Sequence, residues 1–350
     1  MNKVFVKPHI VGVAAAVSKL KQPVMDFDFD KRTIKRIAKL TGIELVSVSP
    51  DGVTGTAYCV AAAKKLFLEL NVDAASIDGI VYATPHPDYV LPGSCGVIQE
   101  QLGIRRDIIA TDINQGCTGF IYSLFMAHLW IESGYCKNVL VCTGDTPARH
   151  SNEHDKSMKM VMGDGGTVVL VRASETAGRS AFSFRHDGYR LKDLYIPAGG
   201  ELLPLQAGLT DVEHIDEEGN VRTLADQYMN GMSLMQFSRD ESKIVLNDVL
   251  DILGIKISDV GMLALHQANE FMVKSIARQF NIPMEKVPLE VFDTGNIGGG
   301  SMGLAICKSL QHGHKYDMQV SALCAFGTGL SCAAAVVNMS DTYFCEVIEV

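Results

Sequence analysis

The feature that most constrains the fold is an order of strand, polar residue and helix that occurs in both halves of the chain. The apolar run at residues 79–83 (GIVYA) resembles residues 261–265 (GMLAL), and the two runs begin 182 residues apart (79 to 261). Cys117 and Asn296, each between a predicted strand and a predicted helix, lie 179 residues apart (117 to 296). Offsets this similar indicate a diverged internal duplication. Chance similarity between ordinary βαβ units is the alternative.

Short apolar runs and helix-period segments alternate along both halves. We predict strands at residues 79–83, 108–113, 139–143, 168–171, 261–265, 288–292, 320–325 and 333–337, and helices at 91–102, 118–133, 271–280 and 302–310. This alternation predicts an α/β fold with mixed, mostly parallel sheets covered by helices. The polar segment 177–230 is predicted to form loops inserted between the halves.

The composition excludes several classes of protein. A hydrophobic fraction of 47% in 350 residues predicts a folded chain with a large core. The net charge of −9 argues against a general nucleic-acid binder, and a single tryptophan argues against a platform that stacks single-stranded bases. No residue run is long and apolar enough to predict a membrane span.

The cysteines indicate the compartment. Nine cysteines, an odd number without a C-x-x-C pair, stand mostly in apolar runs and predict buried thiols in the reducing cytoplasm. Lys3 and Lys7 before an apolar run resemble a short signal peptide. The β-branched residues at 4–6 and 10–13 favour a first β-hairpin instead, so we expect a cytoplasmic protein.

Three residues at predicted strand ends are candidates for chemistry. Cys117 stands at a strand-to-helix junction, where unpaired N–H groups and the helix dipole should lower a thiol pKa and favour the thiolate nucleophile. His266 follows the strand at 261–265, and such strand ends face the ligand crevice of α/β sheets. Asn296 is the duplicated counterpart of Cys117. The alternatives are a buried structural cysteine, a hydrogen-bonded core histidine and a turn asparagine.

Two further motifs have structural alternatives. Phe326-Gly327-Thr328-Gly329 joins two apolar runs, either as a plain hairpin or as a turn whose N–H groups hold an oxyanion. His150 and His154 have a spacing that suits metal on a helix, but their polar, loop-like setting argues against a metal site. We predict no metal.

These motifs, taken together in order, resemble the β-ketoacyl-[acyl carrier protein] synthase III family of the thiolase superfamily. The resemblance covers nearly the whole chain and rests on residues 115–120 (QGCTGF), 163–165 (GDG), 266–269 (HQAN), 295–296 (GN) and 326–329 (FGTG). It implies a five-layer αβαβα fold made of two halves, 1–176 and 177–350, and a homodimer. It also implies an acyltransferase of fatty acid biosynthesis that needs no cofactor.

The resemblance implies a decarboxylative Claisen condensation. Cys117 would be acylated by an acyl-CoA or acyl-carrier-protein thioester, and His266 and Asn296 would complete the triad. Both would donate hydrogen bonds to a malonyl thioester and stabilise the enolate left by CO₂ loss. The N–H groups of Cys117 and Thr328 would form the oxyanion hole for the condensation step.

The sequence departs from the family at positions that recognise the donor. Arg36 and Leu40 stand where the family has a tryptophan and an arginine for the CoA nucleotide, and Phe271 replaces an arginine that contacts the carrier protein. Lys274 and Arg278 remain as a basic docking face. The resemblance assigns Leu91, Met232 and Phe326 to the substrate and acyl tunnel, with Leu91 at the position that reaches into the partner's acyl pocket. These departures suggest a specialised relative.

Three other functions remain open at this point. Acyl-Cys117 could pass its acyl group to an alcohol or amine without decarboxylation. The order Cys, His, Asn also fits a papain-like cysteine hydrolase. A non-catalytic partner subunit of a synthase pair is the third.

Overall fold

A computed structural model describes residues 3–350. Its strands are, in chain order, β1 (Pro8–Val17), β2 (Lys21–Pro23), β3 (Leu45–Ser47), β4 (Gly79–Ala83), β5 (Ile109–Ile113), β6 (Asn138–Asp145), β7 (Gly165–Ala173), β8 (Ala181–His186), β9 (Leu194–Tyr195), β10 (His214–Ile215), β11 (Val221–Arg222), β12 (Tyr228–Met229), β13 (Met262–Leu265), β14 (Ser321–Gly327), β15 (Ser331–Val337), β16 (Tyr343–Phe344) and β17 (Ile348–Glu349).

The structure contains eight α-helices among residues 3–350, and side chains cap the start of some of them. They are α1 (Lys31–Thr41), α2 (Gly55–Glu69), α3 (Cys95–Leu102), α4 (Gly119–Glu132), α5 (Lys156–Lys159), α6 (Gly231–Leu253), α7 (Glu270–Gln279) and α8 (Ser301–Gln311). The Asp30 carboxylate accepts the N–H groups of Arg32 and Thr33 at the start of α1. The Asn269 side chain caps α7 in the same way, by accepting the N–H of Met272 at 2.8 Å.

Two main sheets form the centre of the molecule. The first has the order β16-β1-β7-β6-β4-β5, with β17 also pairing with β1, and the second has the order β13-β14-β15-β8. Helices α4 and α8 lie between the sheets, α2 and α3 cover the outer face of the first, and α6 covers the outer face of the second. This is the five-layer α/β arrangement made of two halves, so the predicted fold class is confirmed.

Helix α4 packs very closely against the first sheet. A Cβ atom placed on Gly119 would lie 2.8 Å from Cβ of Ala83 in β4, which leaves no room for a side chain at this position. Further along the helix, Phe120, Leu124 and Ala127 are buried in the core between the two sheets. This close packing fixes the position of the turn before α4, which carries Cys117.

The structure corrects three expectations. Residues 288–292 are not a strand, because their polar backbone groups bond elsewhere: Gln267 donates to Pro288 O and accepts from Glu290 N–H. The hairpin expected at residues 4–13 is absent, since Phe5 bridges to Ser180 and β1 pairs with β7, β16 and β17. "Mostly parallel" is wrong for the second sheet, where β14–β15 and β15–β8 are antiparallel.

The expectation that residues 177–230 form only inserted loops is wrong, because this segment contains β8, which pairs with β15 in the second sheet. Its remaining residues form short strand pairs and turns. Strand β10 pairs with β11, and β9 pairs with β12. The end of the chain returns to the first sheet, where β16 and β17 pair with β1. Within residues 3–350 no helix has the length and apolarity needed to cross a bilayer.

Candidate active site

A cavity of about 740 Å³ brings together the three candidate residues from both halves of the chain. Cys117, His266 and Asn296 all line it, although 149 residues separate the first two in sequence (117 to 266). Its remaining walls are largely apolar and carry five methionines: Met162, Met229, Met232, Met235 and Met272. Methionine side chains adapt to ligand shape, so the cavity suits a flexible apolar chain.

Cys117 lies in the turn between β5 and α4, two residues before the first residue of the helix. The β14–β15 turn presses against it, because a Cβ atom on Gly327 would lie 2.6 Å from Cβ and 2.9 Å from Sγ of Cys117. Only glycine fits here. The sulfur is therefore held between the two halves of the molecule, beside the Gly327-Thr328 backbone.

The expected low pKa of Cys117 is wrong. Burial raises the pKa of this thiol to about 12, and the negative charge of Asp145 adds to the increase. The hydrogen bond from its own N–H lowers the pKa, but burial outweighs this contribution. Cys117 is therefore a neutral thiol at pH 7, and its proton must leave as the new bond to sulfur forms.

This raised pKa predicts how Cys117 reacts with an alkylating reagent. Because the thiolate is the nucleophile, the rate with iodoacetamide should rise about tenfold per pH unit from pH 7 to 9, without a plateau. Peptide mapping would separate Cys117 from Cys95, the other partly accessible cysteine. A plateau near pH 7 at Cys117 would contradict the neutral thiol.

His266 follows β13 and is buried against the ring of Phe326, with ring centroids 5.5 Å apart. Burial lowers the pKa of this histidine to about 3, so the ring is neutral at pH 7. Its Nδ1 lies 2.8 Å from Oγ of Ser301, the first residue of α8. The ring nitrogen left to face the cavity is Nε2.

Asn296 is held by bonds to the opposite half. Its N–H donates to Val161 O at 2.8 Å, and its carbonyl accepts the N–H of Gly163 at 3.0 Å. Its side-chain Oδ1 accepts the N–H of Gly298 at 3.0 Å. Because the oxygen is engaged, the NH₂ group of Asn296 is the part of the amide free to donate to a ligand.

The two backbone groups expected to form an oxyanion hole come from turns that meet. Oγ1 of Thr328 lies 3.0 Å from the position of a Cβ atom on Gly116, directly before Cys117. The two turns are also linked by Ser331 Oγ, which donates to Thr328 O at 2.6 Å and lies 2.9 Å from Thr118 Oγ1. Among residues 3–350, no hydrogen bond to another residue uses the N–H of Cys117 or Thr328.

The predicted tunnel residues occupy different places. Phe326 lies on the cavity wall and is only 1% exposed, whereas Met232 lines the cavity but is 77% exposed and so stands at its opening. Leu91 is 86% exposed and is not among the cavity-lining residues. Leu40 and Phe271 also line the cavity, which places α1 and α7 at its edge.

The predicted docking cations lie on α7, which carries two cavity-lining residues, Phe271 and Met272. Lys274 is partly buried and forms an ion pair with Glu270 one turn earlier. Arg278 is exposed. Of the two predicted docking charges, Lys274 is therefore already paired, and Arg278 is the exposed one.

One wall of the cavity carries acidic residues that sequence reasoning did not assign to the site. The turn between β10 and β11 contributes Asp216, Glu217 and Glu218 to the lining. Asp216 pairs with Arg222, and hydrogen bonds from Asn220 and Arg222 hold its pKa low, at about 2. The run DEEGN was the available signal, but nothing in the sequence placed it at the cavity.

A second polar cluster lies near the cavity without lining it. Nδ1 of His86 lies 2.6 Å from Oδ1 of Asp145, and the His86 ring stacks on that of His150 with centroids 3.7 Å apart. His150 is thus a stacking partner, while His154 is exposed. In the described part of the chain, no group of three or more potential ligands is placed to hold a metal.

Two family models match the chain. Residues 111–188 match "3-Oxoacyl-[acyl-carrier-protein (ACP)] synthase III", and residues 250–339 match the C-terminal model of the same synthase. The first match contains Cys117, and the second contains His266 and Asn296.

Whole-chain relatives agree with these models. A β-ketoacyl-[acyl-carrier-protein] synthase III of Clostridium perfringens is 30% identical over 306 residues, which are 87% of this chain and 90% of the relative. A putative 3-oxoacyl-[acyl-carrier-protein] synthase 3 of Campylobacter jejuni is 26% identical over 349 residues, 98% of this chain and 97% of the relative. The crystal structure of a 3-oxoacyl-(acyl-carrier protein) synthase from Burkholderia xenovorans superposes with a TM-score of 0.91 at 27% identity, covering 99% and 98% of the two chains.

Proposed function

The chain belongs to the 3-oxoacyl-[acyl-carrier-protein] synthase III family, and from that premise we propose that it condenses an acyl thioester with a malonyl thioester through an acyl-Cys117 intermediate. It is an acyltransferase, as the relatives are. The observation that carries the assignment of residues is that Cys117, His266 and Asn296 line one cavity. We further propose that the acyl group enters on CoA or a carrier protein, without any cofactor.

The first step transfers the acyl group to sulfur. Sγ of Cys117 attacks the thioester carbonyl, the C–S bond of the donor breaks, and the proton of Cys117 ends on the departing thiol. The N–H groups of Cys117 and Thr328 hold the oxyanion of the tetrahedral intermediate. They are suited to this role because their turns are fixed against each other and neither N–H is bonded to another residue within 3–350.

The second step needs hydrogen-bond donors rather than a base. As CO₂ leaves the malonyl thioester, negative charge develops on the thioester oxygen, and Nε2–H of His266 and the NH₂ of Asn296 stabilise it. The carbanion attacks acyl-Cys117, the C–S bond breaks, and the Cys117 thiolate takes up a proton from water. A neutral His266 suits this role, because its pKa near 3 keeps one ring N–H across the physiological range.

The proposed function can be tested with one series of experiments. The purified chain is exposed to a panel of acyl-CoAs and acyl-carrier proteins, and intact-protein mass spectrometry reports the group that is loaded. Malonyl-carrier protein is then added, and CO₂ release is measured. Loading of Cys117 followed by CO₂ release in equal amount supports condensation.

Other outcomes separate the alternatives. Loading of Cys117 without CO₂ release would favour acyl transfer to an alcohol or amine. No loading by any donor would favour a non-catalytic partner subunit. The hydrolase alternative has lost its basis, since the family and the fold are those of acyl-condensing enzymes.

We also propose cytoplasmic fatty-acid or related acyl metabolism, in which carrier proteins dock beside Lys274 and Arg278. This proposal rests on the nine cysteines of the chain, an odd number without a C-x-x-C pair, which is typical of a reducing compartment. Met232 is proposed to contact substrate at the outer end of the tunnel, and Phe326 from its wall. Leu91, which does not line this cavity, is proposed to reach the acyl pocket of a partner chain. We also propose that residues 1–176 and 177–350 are the two thiolase-like halves of the chain.

We propose a homodimer joined through β5. This strand is the last of the first sheet and has no partner on its outer side within the described residues. Nearby, Tyr89, Val90 and Leu91 are 58%, 105% and 86% exposed. An unpaired strand edge beside exposed apolar side chains is the arrangement that pairs with a second chain.

A charge on β5 should prevent this pairing. Ala110 is exposed on the strand, and Ala110→Lys is expected to convert a particle of twice 38.0 kDa into a monomer. Ala75→Lys, at another exposed alanine, is the matched control. Sedimentation velocity gives both masses, and a monomeric unmodified protein would refute the proposed dimer.

A further inference from the structure

Ser301 connects two residues of the proposed triad: it follows Asn296 in sequence and contacts His266. It is the first residue of α8 and is 2% exposed. It lies five residues after Asn296, at the end of the Gly298–Gly300 turn. Its hydroxyl contacts His266, which comes from the end of β13.

The hydrogen bonds around this hydroxyl can be assigned from donor and acceptor chemistry. The backbone N–H of Gln267 can only donate, and it lies 3.2 Å from Oγ of Ser301. Nδ1 of His266 lies 2.8 Å from the same oxygen. Among residues 3–350 the hydroxyl has no other hydrogen-bond partner, so its hydrogen has one acceptor available, which is Nδ1 of His266.

We propose that Ser301 is a positioning residue whose hydroxyl donates to Nδ1 of His266 and thereby holds the imidazole as the tautomer with hydrogen on Nε2. The opposite tautomer would place two N–H donors on one oxygen and leave the buried hydroxyl hydrogen without an acceptor, which costs free energy. The inference rests on the proposed function, because that function requires an N–H at Nε2.

Ser301 is therefore expected to act in one of the two reaction steps and not in the other. Ser301 does not touch the acyl donor or Cys117, since it is not among the cavity-lining residues. It should therefore affect the decarboxylation that uses Nε2–H, and should leave acylation of Cys117 nearly unchanged. Gln267 N–H fixes the serine oxygen, so the histidine, the serine and the start of α8 are held as one unit.

The test uses the whole chain and two independent readouts. The protein is labelled with ¹⁵N-histidine, and the His266 signals are identified among the ten histidines by their loss in His266→Gln. We expect hydrogen on Nε2 only from pH 5 to 8 in the unmodified protein. In Ser301→Ala we expect a mixture of tautomers, a CO₂ release rate about 10- to 100-fold lower, and acylation of Cys117 within about twofold. Ser301→Thr, which keeps the hydroxyl, should restore the single tautomer and most of the CO₂ release.

Hydrogen on Nδ1 in the unmodified protein would overturn the inference, and so would Ser301→Ala with unchanged tautomer and unchanged CO₂ release. The spectrum of the unmodified protein decides the matter even where Ser301→Ala fails to fold. If the unmodified protein is never acylated or never releases CO₂, the proposed function fails, while the tautomer measurement still tests Ser301 separately.

Discussion

Cys117→Ala is expected to abolish acyl loading of the protein, with a fall of at least about 1,000-fold in the loading rate. Alanine removes the only atom that can form the covalent bond, and it leaves the tight turn against Gly327 free of new contacts, since it deletes an atom rather than adding one. Intact-protein mass spectrometry after exposure to the preferred acyl donor measures the effect, because each loaded acyl group adds its own mass.

The matched control for this variant is Cys95→Ala. Cys95 is the other cysteine that is not fully buried, and burial raises its pKa to about 12, as in Cys117. It does not line the cavity, so its replacement should leave loading unchanged. Full loading of the Cys117 variant at a different residue would reject Cys117 as the nucleophile.

Asn296→Ala is expected to separate the two steps of the reaction. Loading of Cys117 should persist, because the amide NH₂ is not required for attack on the first thioester. CO₂ release should fall about 100- to 1,000-fold, since one of two donors to the developing enolate is lost. Single-turnover measurement with preloaded enzyme and malonyl-carrier protein isolates this step.

Asn296→Asp gives a control of nearly equal shape. It can still accept the N–H of Gly298, as Oδ1 does now, but its carboxylate presents an acceptor where the amide presents a donor. We expect it to block CO₂ release at least as strongly as alanine. Normal CO₂ release in either variant would show that Asn296 does not stabilise the enolate.

Periodicity predicted the elements of the fold well where burial alone decides the structure. Strands β4 and β13 and helices α4 and α8 begin and end within a few residues of their predicted bounds. Residues 288–292 look like a strand in sequence, yet Gln267 satisfies their backbone groups. Here a side chain makes the hydrogen bonds that a neighbouring strand would otherwise make. Such a contact leaves no periodic pattern in the sequence, so the pattern of residues 288–292 could not exclude a strand.

The candidate site, like the fold, was predicted from the sequence only in part. The duplication and the family resemblance identified Cys117, His266 and Asn296 as candidates, and the structure places them in one cavity. The pKa of Cys117 was predicted in the wrong direction, because position at a helix start is visible in sequence whereas burial and the charge of Asp145 are not. Ser301 stood in the GGGS run, but its contact with His266 depends on how α8 meets β13.

The acidic turn between β10 and β11 affects how donors should be compared. Phosphate-bearing handles such as CoA approach a cavity lined partly by Asp216, Glu217 and Glu218. Arg222 pairs with Asp216, so the charges of Glu217 and Glu218 are the ones that oppose their entry. Dissolved ions screen this repulsion over about 8 Å at physiological ionic strength. Loading rates measured in dilute buffer will therefore understate the use of polyanionic donors relative to uncharged thioesters, and a ranking of donors has meaning only at one fixed salt concentration.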